Sequence, residues 1–585
     1  RTVLLQGCPL IMDSYPKIVA WWALTGAALV VANSASQLVE GSIAEVRTSH
    51  GTVLGTVLPY GVQEFLGMKF AAADRYEAPV DFTGNYTPQP FRASDFGPAC
   101  MQVGNSVYET YGSEDCLYAN VWKPASAKSG DGLPVVVFIY GGSNQFGETE
   151  PYNGSAFASR HGVVYASIAY RTGPLGWMGF AEDVQAKRPT GTWGNLDQQA
   201  GLRWIQREIQ HFGGDPSRAI IHGQSSGAMN VELHLVMPGS HGLARGIASE
   251  SGGLSALDLA SGLRTTAAVG RQANCSTGAA SSLKRCLQRV HPLALTSQTY
   301  SFGWGPLIDG VTIPSDPMMR LKAGLVNNMS AIMGAQTNDS NKELVEYDMS
   351  VREYKARVLQ RVGMRWLRHA LQLYPPDSKE LKKNVHTLGS INSDAMLCGI
   401  RRRVSLVNHH MPGRAFMYRF NYWYQSNPRC TADPNFHDNT TGPRHEDEVT
   451  FVMGQPIFMF DGACCGKWGQ RLKREPCQRL AKCVDCWDPS LGTGYHAYFD
   501  DKEWAFSQLV GGYWANLARY GTPNAPKQKH WPVALDGGDV KKNIVLDANL
   551  PKQHKQEATL YDNQELCAFW DHVDADEQRK LPNQT

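Results

Sequence analysis

The stretch HGQSSGAMN, residues 222–230, places two adjacent serines between two glycines. Only Ser225 has a glycine two positions away on each side; the same positions around Ser226 hold Gln and Ala. A G-x-S-x-G pattern is typical of a tight turn between a strand and a helix, which exposes the serine hydroxyl as a nucleophile. Ser225 is therefore the predicted nucleophile. Ser226, at the start of the helix, is predicted to donate its backbone N–H to an oxyanion.

The surrounding sequence predicts the elements that such a turn requires. Short apolar runs predict strands buried on both faces: LPVVVFIY (133–140), VVYASIAY (163–170), RAIIHG (218–223), ARGIASES (244–251) and SAIMGA (330–335). Residues 196–212 carry apolar side chains at helical spacing. Strands that alternate with helices predict an α/β fold with a parallel sheet covered on both faces. In such folds the chemistry lies at the carboxyl ends of the strands.

The composition is that of a globular protein, with 42% hydrophobic and 19% charged residues among 585. The formal net charge is +2, and acidic and basic residues are well mixed. Proteins that bind nucleic acid electrostatically carry a basic patch or stripe, so we expect no nucleic-acid partner. We expect no metal and no cofactor, and the oligomeric state stays open.

The N-terminal region predicts a secretory signal peptide over residues 12–36, with residues 1–11 upstream of the true start. A weakly basic segment after Met12 precedes the apolar run IVAWWALTGAALVVA (18–32). Small residues suited to cleavage after Ala35 or Ser36 follow this run. A membrane span needs about 20 apolar residues, so the run is short for one. The alternative is an uncleaved signal anchor at a membrane. Residues 37–585 are predicted to form a single domain.

The cysteines and glycosylation sequons agree with export. Cys8 lies before Met12, which leaves twelve of the thirteen cysteines, an even number as expected for disulfides in an oxidising compartment. Sequons of the form N-x-S/T predict surface glycans at Asn85, Asn153, Asn274, Asn328, Asn439 and Asn583.

Further motifs follow in order along the chain: FLGMKFA (65–71), EDCLYANVW (114–122), YRTGPLGWMG (170–179), GNLDQQAGLRWIQREIQHFGGDP (194–216), GPLIDG (305–310) and YWANLARYGTPN (513–524). Together with the serine turn, they resemble the type-B carboxylesterase and cholinesterase family of α/β-hydrolases from about residue 45 to residue 571. The resemblance implies an α/β-hydrolase fold, a large mostly parallel sheet flanked by helices. It also implies hydrolysis of a small-molecule carboxylic ester.

The same resemblance implies the partners of Ser225. HEDEVTFVMG (445–454) is similar to the family's HGYEIEFVFG, which makes His445 the expected catalytic base. The family usually has Glu in a G-x-N-x-D-E-G motif, but MGAQTNDSNKE (333–343) places Asp339 at that position. Many serine hydrolases use Asp to orient the imidazole. Glu343 is the alternative acid.

The predicted oxyanion loop departs from the family's GGGF and has Gly141-Gly142-Ser143-Asn144. The expected donors are the backbone N–H groups of Gly142, Ser143 and Ser226. The Cβ of Ser143 resists a positive φ, which leaves open a shifted or narrower oxyanion hole and a low activity. Gln224 also replaces the Glu of the family's G-E-S-A-G.

Three disulfides are implied by the resemblance, namely Cys100–Cys116, Cys275–Cys286 and Cys398–Cys567. Most of the other cysteines lie in a Cys-rich insertion at about 457–500, after His445. The sequence does not determine how the six remaining cysteines pair. These six are Cys430, Cys464, Cys465, Cys477, Cys483 and Cys486. Zinc or redox chemistry at Cys483-x-x-Cys486 is the alternative to structural disulfides, which an exported chain favours.

The substrate is only broadly indicated. Cholinesterases hold a quaternary ammonium on a Trp in the loop between the first two paired cysteines, but residues 101–115 contain no Trp. Tyr300 and Phe302 lie where the family shapes its acyl pocket, and two aromatics there weakly favour small acyl groups. The alternatives are a weak or inactive adhesion or ligand-binding protein on the same fold, and a lipase for long acyl chains.

Overall fold

A computed structural model describes residues 41–103, 110–275, 282–298, 302–341, 347–422, 443, 445–455, 499, 501–526, 530–532, 535–536, 539–540, 543–548, 556–557 and 564–580. Residues 12–36 and nearly all of the Cys-rich segment lie outside these ranges. The signal peptide, the insertion and the single-domain boundary therefore remain predictions.

The strands are β1 Ile43–Thr48, β2 Gly51–Leu58, β3 Val62–Lys69, β4 Ala71–Ala72, β5 Val80–Asp81, β6 Phe91–Arg92, β7 Gln102–Val103, β8 Thr110–Tyr111, β9 Tyr118–Pro124, β10 Leu133–Ile139, β11 Val164–Ile168, β12 Gly214–Gln224, β13 Gly246–Glu250, β14 Ser330–Gln336, β15 Ala415–Phe420, β16 Leu535–Asp536, β17 Asp539–Val540, β18 Asn543–Leu546 and β19 Gln556–Glu557. The α-helices are α1 Ser155–His161, α2 Gly173–Trp177, α3 Ala181–Gln185, α4 Trp193–Glu208, α5 Ser226–Leu233, α6 Leu259–Gln272, α7 Leu283–Arg289, α8 Pro292–Gln298, α9 Pro317–Lys322, α10 Val351–Leu373, α11 Leu381–His410, α12 Asp447–Met453, α13 Asp501–Tyr520 and α14 Gln564–Lys580.

A 13-stranded sheet organises the described residues, in the order β1-β2-β3-β9-β11-β10-β12-β13-β14-β15-β18-β19, with β6 beside β2. The strands from β11 to β18 in this order are all parallel. Antiparallel pairs form both ends of the sheet, at β1 to β11 and at β18 with β19. This is the large, mostly parallel sheet that the sequence predicts.

The central strands form where the apolar runs predict them, because both of their faces are covered. Every residue of β11, β13 and β14 is buried, as is the second half of β12. A parallel sheet with helices on both faces requires such continuous apolar strands. The predicted helix 196–212 is observed as α4, followed by a 3₁₀ turn at Ile209–Phe212. The α/β fold is therefore confirmed.

A second, smaller core packs α10, α11 and α14 together. Its buried side chains include Tyr354, Ile391 and Trp570, and the Cys398–Cys567 disulfide lies within it. Because 169 residues separate these two cysteines, the bond links distant parts of the chain. On the same helix as Cys398, Ser393 Oγ accepts a hydrogen bond from the backbone N–H of Ser340, at 3.1 Å.

The other two disulfides, Cys100–Cys116 and Cys275–Cys286, are also present. The structure thus contains all three pairs that the resemblance implies. Within the part of the chain that the structure describes, no helix combines the length and hydropathy needed to cross a membrane.

Candidate active site

Ser225 occupies a sharp turn between β12 and α5. Its backbone has φ 59° and ψ −130°, a conformation that non-glycine residues rarely adopt, and it is the N-cap residue of α5. The flanking backbone holds it there, since the Ser225 N–H donates to the Glu250 carbonyl on β13 at 2.8 Å. Backbone strain of this kind is often found at functional sites.

The two glycines around Ser225 are required by the close approach of β10. A Cβ on Gly223 would lie 2.5 Å from the Ile139 carbonyl oxygen, and one on Gly227 would lie 2.3 Å from the same oxygen. Separations below 3.0 Å are not tolerated between a Cβ and a backbone atom. The G-x-S-x-G pattern is therefore explained by packing against the end of β10, as well as by the turn itself.

The sheet register places the other predicted residues at the same edge. Gln224 is opposite Glu250, which is opposite Gly334 on β14. Asp339 follows β14 by three residues, in a short 3₁₀ turn, Asp339–Asn341. His445 immediately precedes the segment that leads into α12, and its backbone N–H donates to the Asp339 carbonyl at 3.1 Å. The carboxyl ends of adjacent parallel strands thus bring these segments together.

Asp339 and His445 form a close, partly buried pair. His445 Nδ1 lies 2.7 Å from Asp339 Oδ1, and the two side chains are 21% and 2% exposed. The second carboxylate oxygen of Asp339 accepts a hydrogen bond from Ser251 Oγ. A carboxylate that accepts from Nδ1 fixes the ring orientation and leaves Nε2 as the nitrogen that can take up a proton.

The Ser225 hydroxyl, in contrast, makes no hydrogen bond to any described residue, including His445. The Nε2 atom of His445 instead lies 3.0 Å from Nε2 of Gln224. The structure therefore brings Asp339 and His445 into contact and places Ser225 on the adjacent turn. It does not join all three in one hydrogen-bonded chain. The alternative acid, Glu343, lies outside the described residues.

A further carboxyl group is buried beside this pair. Glu448 on α12 is fully buried and accepts a hydrogen bond from the Tyr418 hydroxyl at 3.2 Å. Burial, reinforced by the nearby charges of Glu250 and Asp339, raises the pKa of Glu448 well above its ordinary value. A raised pKa favours the protonated form of Glu448, and sequence reasoning did not single this residue out.

The loop after β10 and the first residue of α5 together supply three unused donors. Among the described residues, Gly142, Ser143 and Ser226 donate their backbone N–H groups to no acceptor. Ser143 adopts φ 55° in spite of its Cβ, and its side chain is exposed. Gly142 has φ 109°, and a Cβ there would lie 2.2 Å from the Phe146 carbonyl oxygen. A positive φ at Ser143 is thus accommodated because the side chain points away from the packed backbone.

Asn144 fixes this loop through both its backbone and its side chain. Its N–H donates to Ser226 Oγ at 2.9 Å, which ties the loop to α5. Its carbonyl accepts from the Gly173 N–H at 2.7 Å and from Trp177 Nε1 at 2.9 Å. Its side-chain oxygen accepts from Asn230 Nδ2 at 2.8 Å. Sequence reasoning noted Asn144 only as a departure from the family motif, because its contact with Ser226 joins residues 82 positions apart.

The predicted acyl-pocket residues are only partly described. Tyr300 lies outside the described residues. Phe302 is half-buried, and its ring centroid is 6.1 Å from that of Trp304. A Cβ on the following Gly305 would lie 3.6 Å from Asn144 Nδ2. The segment that carries Phe302 therefore approaches the oxyanion loop.

No group of three or more His, Cys, Asp or Glu side chains among the described residues is arranged to hold a metal ion. This finding does not cover the Cys-rich segment.

Comparisons with known proteins bear directly on this arrangement. The model of the Carboxylesterase family matches residues 42–464, more than two thirds of the chain. The chain belongs to the carboxylesterase family. Cocaine esterase of Homo sapiens is 28% identical over 536 residues, which cover 84% of this chain and 87% of that protein. Acylcarnitine hydrolase of Rattus norvegicus is 27% identical, with 83% and 85% covered. Bile salt-activated lipase of Mus musculus is also 27% identical, with 85% and 82% covered.

Membership of the carboxylesterase family confirms the resemblance that the motifs indicate. The residues that depart from the family motifs contact each other or the candidate base in the structure. Asn144 and Ser226 bind each other, and Gln224 contacts His445. The variations are thus concentrated around the candidate nucleophile and are linked in space.

Replacement of Ser226 by Ala is expected to lower kcat roughly fivefold. The change removes the acceptor for the buried N–H of Asn144, and a lost hydrogen bond of this kind costs about 1 kcal/mol. The loop that carries Gly142 and Ser143 would then be less firmly held. Hydrolysis of p-nitrophenyl acetate by the variant, with Ser217→Ala at an exposed position as the control, measures the effect. A kcat equal to that of the control would contradict this role.

Replacement of Glu448 by Gln is expected to make unfolding less sensitive to pH. The raised pKa means that the folded state retains a proton that the unfolded chain releases at its ordinary pKa, so wild-type stability falls as pH rises above that value. Gln is neutral throughout and keeps an acceptor for Tyr418. The Tm of the variant should therefore exceed that of wild type at pH 8 and approach it at pH 5. Parallel Tm profiles for the two proteins would refute the assignment.

Proposed function

We propose that this protein hydrolyses carboxylic esters through a covalent acyl intermediate on Ser225. The observation that carries the proposal is the arrangement at the carboxyl edge of the sheet. A strained serine, an imidazole oriented by a carboxylate, and three unused backbone donors lie on adjacent segments. This combination suits acyl transfer, in which a nucleophile, a base and an oxyanion site act on one carbonyl.

In the first half-reaction, Ser225 Oγ attacks the ester carbonyl while His445 Nε2 takes the hydroxyl proton. The carbonyl oxygen becomes an oxyanion, and the N–H groups of Gly142, Ser143 and Ser226 stabilise its charge. When the tetrahedral intermediate collapses, the C–O bond to the alcohol breaks. His445 then returns the proton to the departing alcohol.

In the second half-reaction, water replaces the alcohol. His445 takes a proton from the water as its oxygen attacks the acyl carbonyl, and the proton then passes to Ser225 Oγ as the acid is released. Asp339 accepts the Nδ1 hydrogen bond throughout and stabilises the imidazolium form, so it does not itself need to be protonated. Atoms and charge therefore balance without a metal or cofactor.

The proposed substrate is a small-molecule carboxylic ester. The names of the similar proteins refer to an esterase, a lipase and an acylcarnitine hydrolase, and cleavage at an acyl carbonyl is common to such activities. Gln224 brings no charge to the position next to Ser225, and Phe302 offers an aromatic surface near the oxyanion loop. We therefore propose a neutral ester with a small acyl group as the first substrate to test.

A fluorophosphonate probe is expected to label the wild-type protein covalently, because it reacts with an activated serine. Ser225→Ala should abolish labelling, and Asp339→Asn should slow it on the order of 10³-fold or more, since the imidazole loses its orientation. Labelling is followed by in-gel fluorescence over time. Glu343→Gln is the comparison that separates the two candidate acids, and it should label at the wild-type rate.

Well-folded wild-type protein that resists the probe would support the inactive, ligand-binding alternative. Retained labelling in Ser225→Ala would move the nucleophile elsewhere. Hydrolysis of p-nitrophenyl esters of increasing chain length tests the lipase alternative, for which activity would rise with acyl length.

We also propose that the protein is exported and glycosylated. Asn85, Asn274 and Asn328 are exposed, as acceptor sites must be, whereas Asn153 is partly buried. Expression in secretory cells is expected to release protein whose N-terminus is Ser36 or Gln37, and glycosidase treatment should lower its mass. Membrane-bound protein that keeps the apolar run would instead identify an anchor.

A further inference from the structure

The side chain of Gln224, the residue before the candidate nucleophile, contacts the candidate base. It ends β12, directly precedes Ser225, and is 1% exposed. Its Nε2 lies 3.0 Å from His445 Nε2, whereas the Ser225 hydroxyl makes no hydrogen bond to a described residue. An amide, and not the serine, therefore contacts the nitrogen that has to take up the serine proton.

The proton positions follow from the chemistry of the three groups. His445 Nδ1 is 2.7 Å from Asp339 Oδ1, and a carboxylate only accepts hydrogen bonds, so Nδ1 carries the proton of the neutral ring. Nε2 then presents only a lone pair. The Gln224 amide N–H is the group that can donate to it.

Nothing else in the described structure competes for this amide. Gln224 Oε1 is buried and has no hydrogen-bond partner among the described residues. A buried amide oxygen without a partner is unfavourable, so the site retains this side chain at a cost in stability. The contact with His445 is its single side-chain hydrogen bond within the described ranges.

We propose that Gln224 is a positioning residue that holds His445 in a resting arrangement, an inference that rests on the proposed function. One lone pair on Nε2 cannot accept the Gln224 N–H and the Ser225 hydroxyl at the same time. Each acylation therefore begins with an exchange of partners, in which His445 leaves Gln224 and accepts from Ser225. Gln224 thereby lowers the reactivity of the free protein towards acyl compounds.

The other titratable groups around the His445–Asp339 pair are mainly carboxyls. They come from the start of α12, the end of β13 and from β15: Glu446, Asp447, Glu448, Glu250 and Tyr418. Gln224 differs from them because it offers a donor and carries no charge. A neutral replacement without a donor therefore changes the contact at Nε2 and leaves the charges around the pair unchanged.

Gln224→Met tests the proposal by removing the donor while keeping a side chain of similar length. The rate of fluorophosphonate labelling should rise about 2- to 10-fold, the range that corresponds to one neutral hydrogen bond. A residue with a merely structural role would give no such gain. Tm should be unchanged or higher, because the unpaired amide oxygen is removed.

Gln224→Glu provides a second readout that does not depend on the first variant. A carboxylate cannot donate to Nε2 but favours the protonated ring. Labelling of this variant, relative to wild type, should therefore fall as the pH is lowered from 8 to 6. A ratio that does not change with pH would contradict the contact.

Gln199→Met is the matched control. Gln199 is also a buried glutamine, and its amide donates to Ser240 Oγ at 3.0 Å, away from the triad residues. It should show no gain in labelling rate.

The outcomes separate this inference from the proposed function. Wild-type protein that labels, with folded Gln224→Met equal or slower, would overturn the role of Gln224 and leave the proposed function intact. If wild-type protein does not label at all, both are overturned. If Gln224→Met does not fold, the pH dependence of Gln224→Glu decides.

Discussion

The arrangement at the active site depends on how closely the end of β10 approaches the turn between β12 and α5. A Cβ on Gly141 would lie 2.5 Å from the Gln224 carbonyl oxygen, and a Cβ on Gly227 would lie 2.5 Å from that of Tyr140. The two backbones are therefore in van der Waals contact. Since the candidate nucleophile lies on one segment and the candidate oxyanion loop on the other, a side chain at either glycine would separate them.

The charges at this edge of the sheet are constrained by burial. Several carboxyl groups are buried at this edge, and burial, together with the nearby charges of Glu250 and Asp339, raises the pKa of Glu448. The carboxylate that contacts His445 is that of Asp339, which accepts hydrogen bonds from Ser251 Oγ and from the backbone N–H of Gln336 at the end of β14.

Much of the fold and of the candidate site could be predicted from the sequence. The apolar runs predicted the central strands because parallel strands must be buried on both faces, and two glycines at fixed spacing ranked Ser225 above Ser226. The pairing of Asp339 with His445 needed the family resemblance, since 106 residues separate them. The contacts of Asn144 with Ser226 and of Gln224 with His445 were not predictable, because they join side chains 82 and 221 residues apart across different segments. We expected the Cβ of Ser143 to resist a positive φ, but the residue adopts one, because its exposed side chain leaves room for it.

The hydrogen bond between Ser393 on α11 and Ser340, next to Asp339, connects the Cys398–Cys567 disulfide to the candidate site. The disulfide therefore does more than anchor the C-terminal helix, α14. Ser393 and Cys398 lie within two turns on α11, and Ser393 binds the residue next to Asp339. Oxidation of the cysteines braces the same helix that supports the carboxylate. The disulfide and the turn that carries Asp339 therefore depend on the same helix, although the two cysteines are 169 residues apart in the sequence.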